Sequence, residues 1–187
     1  GVPDDYLRRW SGFEPLLRWR NATLAADFEL VAPVLAGMYE QATGEPVDGV
    51  IQIDPHGLAA ILQGTGPVQV PELGAVDAAN VVDVVLNQAY VRFPDIDSRS
   101  DVMTEVAEAT FERLVEGDYP SLRPLAEALV EAAEGRHVLA WARSGRIRAH
   151  HEFFGVDGAL PDPLDAAFAL TAQNLSANKL DYHVDTS

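Results

Sequence analysis

Val47-Asp48-Gly49-Val50-Ile51-Gln52-Ile53-Asp54-Pro55 is the stretch on which the fold turns. Its first seven residues are rich in β-branched side chains, which predicts a buried strand over 47–53. Asp54 then supplies an N-cap, and Pro55 is the first helical residue, where its missing N–H is harmless. A strand that hands directly to a capped helix is the step of an α/β domain. The short helix runs through Leu58, Ile61 and Leu62 to Gly64, and a Gly66-Pro67 turn leads to a second short strand over 68–70.

Upstream, residues 1–26 are irregular apart from an amphipathic piece over 4–10 and the aromatic, basic stretch Arg18-Trp19-Arg20. From Asp27 a helical pattern carries Val31, Val34, Leu35, Met38 and Tyr39 on one side. Pro33 is compatible only with a first turn, which puts the regular helix at Glu29 or Leu30, and Gly44 ends it. Downstream, Asp77 caps a helix with Val81, Val84, Val85 and Ala89. Helices over 100–116 and 121–134 follow, the first with Met103, Ala107, Thr110 or Phe111 and Leu114 as its apolar stripe, the second with Leu122, Leu125, Ala126 and Leu129. Gly135 stops the second. A strand over 137–141, a helix over 146–154 and two late strands over 164–171 and 180–184 complete the pattern. Strands alternating with helices predict one α/β domain over 1–187, a mixed β-sheet covered by helices.

Composition bounds the function. The 187 residues carry 13 basic and 29 acidic side chains, a net charge of −16. Nucleic-acid binding works by Lys and Arg displacing counterions from phosphates, and this balance opposes it. It also opposes an anionic membrane surface. Hydrophobic residues make up 48% of the chain, which excludes a largely disordered protein. There is no cysteine, hence no disulfide, thiolate nucleophile or cysteine metal site. No apolar run approaches the roughly 20 residues of a membrane span. The chain starts and ends inside plausible domain sequence, as a segment of a longer protein would.

The densest polar constellation is Arg92-Phe93-Pro94-Asp95-Ile96-Asp97-Ser98-Arg99-Ser100-Asp101. Its carboxylates have the spacing to ligate a hard cation, and Arg92 and Arg99 could clamp a phosphate. A calcium loop is excluded, because Ser100 stands where the turn needs glycine and Val106 where the closing Glu belongs. Residue type alone favours a solvated connection whose Asp and Ser cap the next helix. Capping likewise accounts for Asp54, although it lies where open α/β sheets place ligands. His150-His151-Glu152 lacks the i, i+4 spacing of a helical zinc pair, and no metal ligand is assigned. Asn174 to Tyr182 is a polar turn and strand holding Lys179, the sole lysine, and reads equally as a hairpin or as an anion-binding rim.

Taken together, Asp27-Phe28, the stretch 47–55, Thr65-Gly66-Pro67-Val68, Asn80-Val81-Val82, Tyr90-Val91-Arg92-Phe93 and Asn178-Lys179-Leu180-Asp181-Tyr182 resemble an uncharacterised bacterial envelope family, domain of unknown function 4012. The resemblance implies an extracytoplasmic domain, membrane-anchored in the full-length protein, with no assigned activity. Its members begin with strands carrying an Asn-Asn-Ala-Glu-Leu-Arg-like motif that this chain lacks, so part of the sheet is expected to be missing.

More distantly, the order of strand, Asp, helix, Gly-x-Val, helix, Tyr-x-Arg and acidic loop is similar to the LytR-CpsA-Psr phosphotransferases, which move glycan from polyprenyl pyrophosphate to the wall with magnesium. By that resemblance Arg92 and Arg99 match pyrophosphate-binding arginines, with Asp95 or Asp97 nearby. Pro94 replaces a further arginine of that pattern, and Met103-Thr104-Glu105 and Val106-Ala107-Glu108 replace its Arg-x-x-Arg-Gln stretch.

The expectation is an envelope domain of LytR-CpsA-Psr-like fold that binds a cell-wall glycan, a lipid-linked precursor or a protein partner. Its ligand-binding candidates are Arg92, Asp95, Asp97, Arg99 and Lys179, and it needs no cofactor. The alternative is a divergent phosphotransferase, in which magnesium enters. A scaffold with no ligand is the third reading.

Overall fold

The computed structural model describes residues 4–17, 19–117, 119 and 121–160. In chain order its elements are α1 (Asp4–Trp10), a 3₁₀ turn (Ser11–Phe13), α2 (Trp19–Ala22), α3 (Phe28–Thr43), β1 (Gly49–Ile53), α4 (Pro55–Thr65), β2 (Val68–Val70) and β3 (Gly74–Val76). There follow α5 (Val81–Asp83), a π-helical turn (Val84–Gln88), α6 (Ala89–Arg92), α7 (Ile96–Glu116), α8 (Leu122–Glu134), β4 (Val138–Ala142) and α9 (Gly145–Phe153). The described residues fall into two compact units, one within 1–52 and 139–160, the other within 53–138.

In the first unit Asp27 accepts the Glu29 N–H at 3.0 Å, and Gly44 closes α3 with φ 79°. The helix starts at Phe28, slightly earlier than the proline suggested. Pro33 denies the Glu29 carbonyl its partner, yet α3 runs on because Val31, Ala32, Val34, Ala36 and Met38 are buried along it. Tyr6 of α1 is fully buried against this core, its hydroxyl donating to the Ala22 carbonyl at 2.7 Å. Leu139 and Trp141 of β4 join the same cluster. Trp141 is therefore core, whereas Trp19 is 50% exposed.

β1 pairs with β4. The strand predicted over 47–53 is shorter, and it is not buried: Ile51 is 61% exposed. Gly49 meets the Trp141 carbonyl so closely that a Cβ there would stand 2.6 Å away.

The second unit begins with α4, opened as expected by Asp54 and Pro55. β2 and β3 form an antiparallel hairpin with Val68 opposite Val76 and Val70 opposite Gly74. Its apolar face, with Leu62, Val81, Val84 and Val106, is the main core here. α8 lies along α4 through small residues: Ala60, Ala128 and Ala132 form a buried cluster, and Gly64 is pressed against the Leu125 backbone.

Several expectations are corrected. The described strands make two separate two-stranded pairs, not one mixed sheet, because β2 and β3 are three residues each and turn back on one another. Asp77 caps no helix directly. Its carboxylate accepts from Ala79 and Asn80 in a turn, and the helix begins at Val81. α7 begins at Ile96, not Ser100, and it buries Val102, Val106 and Thr110, with Phe111 left 54% exposed. α8 buries Leu125, Ala128, Ala132 and Ala133, and Leu122 is exposed. Gly135 ends this helix as expected, in a helical conformation, and the left-handed residue is Arg136, at φ 59°. The late strands over 164–171 and 180–184 lie outside the described residues.

Candidate functional site

Asp54 ends β1 and caps α4 in the same residue. Its Oδ1 accepts the N–H groups of His56 at 2.8 Å and Gly57 at 2.9 Å. That leaves Oδ2, which stands 2.7 Å from Nδ1 of His137, the residue just before β4. The backbones also meet, the Asp54 N–H donating to the His137 carbonyl at 3.1 Å. Gly57 makes the approach possible, since a Cβ there would overlap the His137 carbonyl and the side chains of Ile53 and Val138. The carboxylate thus has two fixed N–H donors on one oxygen and an imidazole on the other.

The His137 ring is held from three sides. Asp54 takes Nδ1. Gly135 lies beside the opposite edge, where an added Cβ would stand 2.6 Å from Cδ2 and 2.8 Å from Nε2. His56 covers the ring with its own, the centroids 4.8 Å apart and tilted by 38°. The side chains of His137 and Asp54 remain 37% and 39% exposed, enough for a ligand to reach them and too much for the pair to be a large source of stability.

His137, Gly135 and His56 line a cleft of about 370 Å³, within the range of a small-molecule site. His56 and Gln63 come from α4, Glu131 from α8, and Gly135 and His137 from the connection to β4. Ala59, Ala60, Ala128 and Ala132 form its apolar part. No Lys or Arg is among the described lining residues.

The candidates read from sequence lie elsewhere in this unit. Arg92 donates to the Glu72 carbonyl and lies 5.8 Å from the Phe93 ring centroid. Arg99 donates to the Phe93 and Pro94 carbonyls at 3.0 and 3.3 Å and sits 4.5 Å over the Tyr90 ring. Asp95 is the N-cap of α7, accepting the Ser98 N–H and hydroxyl, and these bonds hold its carboxyl below the usual range. Asp97 is exposed in the first turn of that helix. Lys179 lies outside the described residues. Among the described residues no group of three or more His, Asp or Glu is gathered to hold a metal ion. No described helix is long and apolar enough to cross a membrane.

In the sequence, capping accounts for Asp54, and His56, Gln63, Glu131 and His137 carry no motif. Nothing local marks them. Asp54 and His137 are 83 positions apart, and only the pairing of β1 with β4 brings them together.

No curated protein and no solved structure matches this chain, so the LytR-CpsA-Psr relation finds no support there. A family model described as Protein of unknown function (DUF4012) matches residues 2–90, a span that holds Asp54, His56 and Gln63. Over that span, a little under half of the chain, the protein is similar to the DUF4012 family.

Proposed function

We propose that this chain is an extracytoplasmic domain of the bacterial cell envelope, anchored to the membrane in the full-length protein, that holds a neutral glycan of the wall. The cleft of the second unit carries the reading. His56, Gln63, Glu131 and His137 offer the donors and acceptors that sugar hydroxyls use, and the four alanines offer an apolar face to a ring. Glu131, with no Lys or Arg among the described lining residues, disfavours a phosphate there. The same charge argument places the lipid-linked precursor second, and within it the sugar portion is the part that fits.

The phosphotransferase alternative would place its ligand at Arg92, Asp95, Asp97 and Arg99. A phosphoryl transfer needs free cationic donors and, by that resemblance, magnesium. The donors of both arginines that point at carbonyls would first have to be released.

Calorimetric titration tests the reading. Tetra-N-acetylchitotetraose, a neutral oligosaccharide called chitotetraose below, is added to the wild type, Gln63→Ala and Arg99→Ala. Binding weakened about tenfold by Gln63→Ala and unchanged by Arg99→Ala is the expected result. A short-chain polyprenyl pyrophosphate that binds only with magnesium, and not to Arg99→Ala, would replace this reading with the phosphotransferase.

A further inference from the structure

A wall residue that only hydrogen-bonds a sugar does not need its own carboxylate. His137 has one at 2.7 Å, and that carboxylate is itself fixed by two α4 N–H groups. Asp54 cannot turn away from His137 without uncapping the helix. An ionised carboxylate only accepts, so in the neutral imidazole Nδ1 carries the proton and Nε2 the lone pair. The Nε2–Cδ2 edge lies against Gly135, a residue of the cleft wall.

We infer that Asp54 and His137 form an acid–base pair, and that the cleft hydrolyses a neutral carboxylic ester carried by its ligand, with water as co-reactant. The inference rests on the reading of this cleft as the ligand site. Nε2 takes a proton from water as the water oxygen bonds to the ester carbonyl carbon, and the carbonyl π pair moves onto oxygen. The tetrahedral oxyanion then collapses. The carbonyl re-forms, the bond to the alcohol oxygen breaks, and the imidazolium returns its proton to that oxygen. One ester and one water give one carboxylic acid and one alcohol. The Gln63 carboxamide, which also lines the cleft, is the donor assigned to the oxyanion. His137 is the catalytic residue, and Asp54 is a positioning residue that fixes its tautomer.

Chemistry selects the ester over its rivals. A phosphoester needs cations, and the described lining residues include no Lys or Arg. A glycosidic bond needs two carboxylates flanking it, roughly 5–10 Å apart. Asp54 is committed to His137 and the helix, which leaves Glu131 alone on the lining.

The test follows 4-nitrophenyl acetate hydrolysis by the whole chain, with equimolar free imidazole as the reference. His137→Gln removes the base. Asp54→Asn keeps a good N-cap but replaces the carboxylate, so its thermal midpoint monitors the fold separately. The expected result is a wild-type rate at least about tenfold above imidazole, lost in His137→Gln. In Asp54→Asn, kcat falls at least about tenfold and KM little. A wild-type rate no higher than imidazole, or a His137→Gln variant as fast as wild type, overturns the inference. Chitotetraose binding measured on the same preparations separates the two readings: intact binding without ester hydrolysis overturns the acid–base role alone.

Discussion

At the scale of single residues, the approach of Gly135 to His137 shapes the cleft. Gly135 leaves the His137 ring the space that a Cβ would occupy, and it does so without a left-handed backbone. Gly135→Ala should therefore displace the imidazole while leaving the helix intact. The expected outcome is loss of the Nδ1–Asp54 bond in the imidazole ¹⁵N spectrum, with far-ultraviolet circular dichroism unchanged. Glu29 illustrates the opposite case, a residue that opposes folding. Burial raises its pKa, Asp157, Asp27 and Glu152 add to the rise, and Arg148 opposes it. A carboxyl raised in the folded state favours folding only at low pH, and that contribution is lost as pH rises through the folded value. Glu29→Gln should raise the thermal midpoint at pH 7 by on the order of 1–3 °C, and the gain should vanish below about pH 4. An equal gain at both pH values would show that the charge is not the cause. Asp54 was legible at this scale as a cap, because capping is a local property of sequence. Its second role was not, because His137 reaches it only through the fold.

Helix packing separates two glycines that sequence treats alike. Gly37 lies inside α3 with nothing within 4 Å of an added Cβ, whereas the Cβ of Gly64 in α4 would strike the backbone of Leu125 in α8. Gly37→Ala removes unfolded-chain entropy at no steric cost and should stabilise by about 0.5–1 kcal/mol. Gly64→Ala forces α4 and α8 apart and should destabilise by about 1–3 kcal/mol. Urea denaturation of both variants checks the pair, and two changes of the same sign would contradict the packing described. Because Gln63 and Glu131 come from these same two helices, Gly64→Ala should also weaken chitotetraose binding. The start of α7 shows how element boundaries escape sequence. Asp95, Asp97, Ser98 and Ser100 can each cap a helix, and only the bonds from Ser98 to Asp95 choose among them. Starting at Ile96 gave the helix its observed register. The apolar stripe assigned from sequence leaned towards Met103 and Ala107, one residue from the buried Val102 and Val106. Charged residues follow helical spacing on both sides of that stripe, so the pattern alone could not place the buried face.

Across the whole chain, the acidic balance is the property that sequence gives without folding. Which strands pair is the property it withholds: β1 and β4 are separated by most of the second unit, and no local signal names their partnership. The net charge of −16 opposes any compact state through self-repulsion. Among the described residues, ion pairs such as Arg123 with Glu127 and Arg8 with Asp5 lie on the surface, where they contribute little. Screening should therefore stabilise the fold. Raising sodium chloride from about 0.01 M to 0.15 M shortens the Debye length from roughly 30 Å to 8 Å, so distant carboxylates cease to repel one another. The thermal midpoint at pH 7 should rise by several degrees over that range, most steeply at the low end. The acyl chemistry inferred for the cleft depends on a neutral ester and on His137, not on the long-range field. Its kcat should accordingly stay within about twofold over the same salt series, while a cationic ester analogue should lose affinity as the field is screened. If the neutral ester slowed in step with the cationic one, the rate would be reporting the global charge, and the local geometry of Asp54 and His137 would not be its cause.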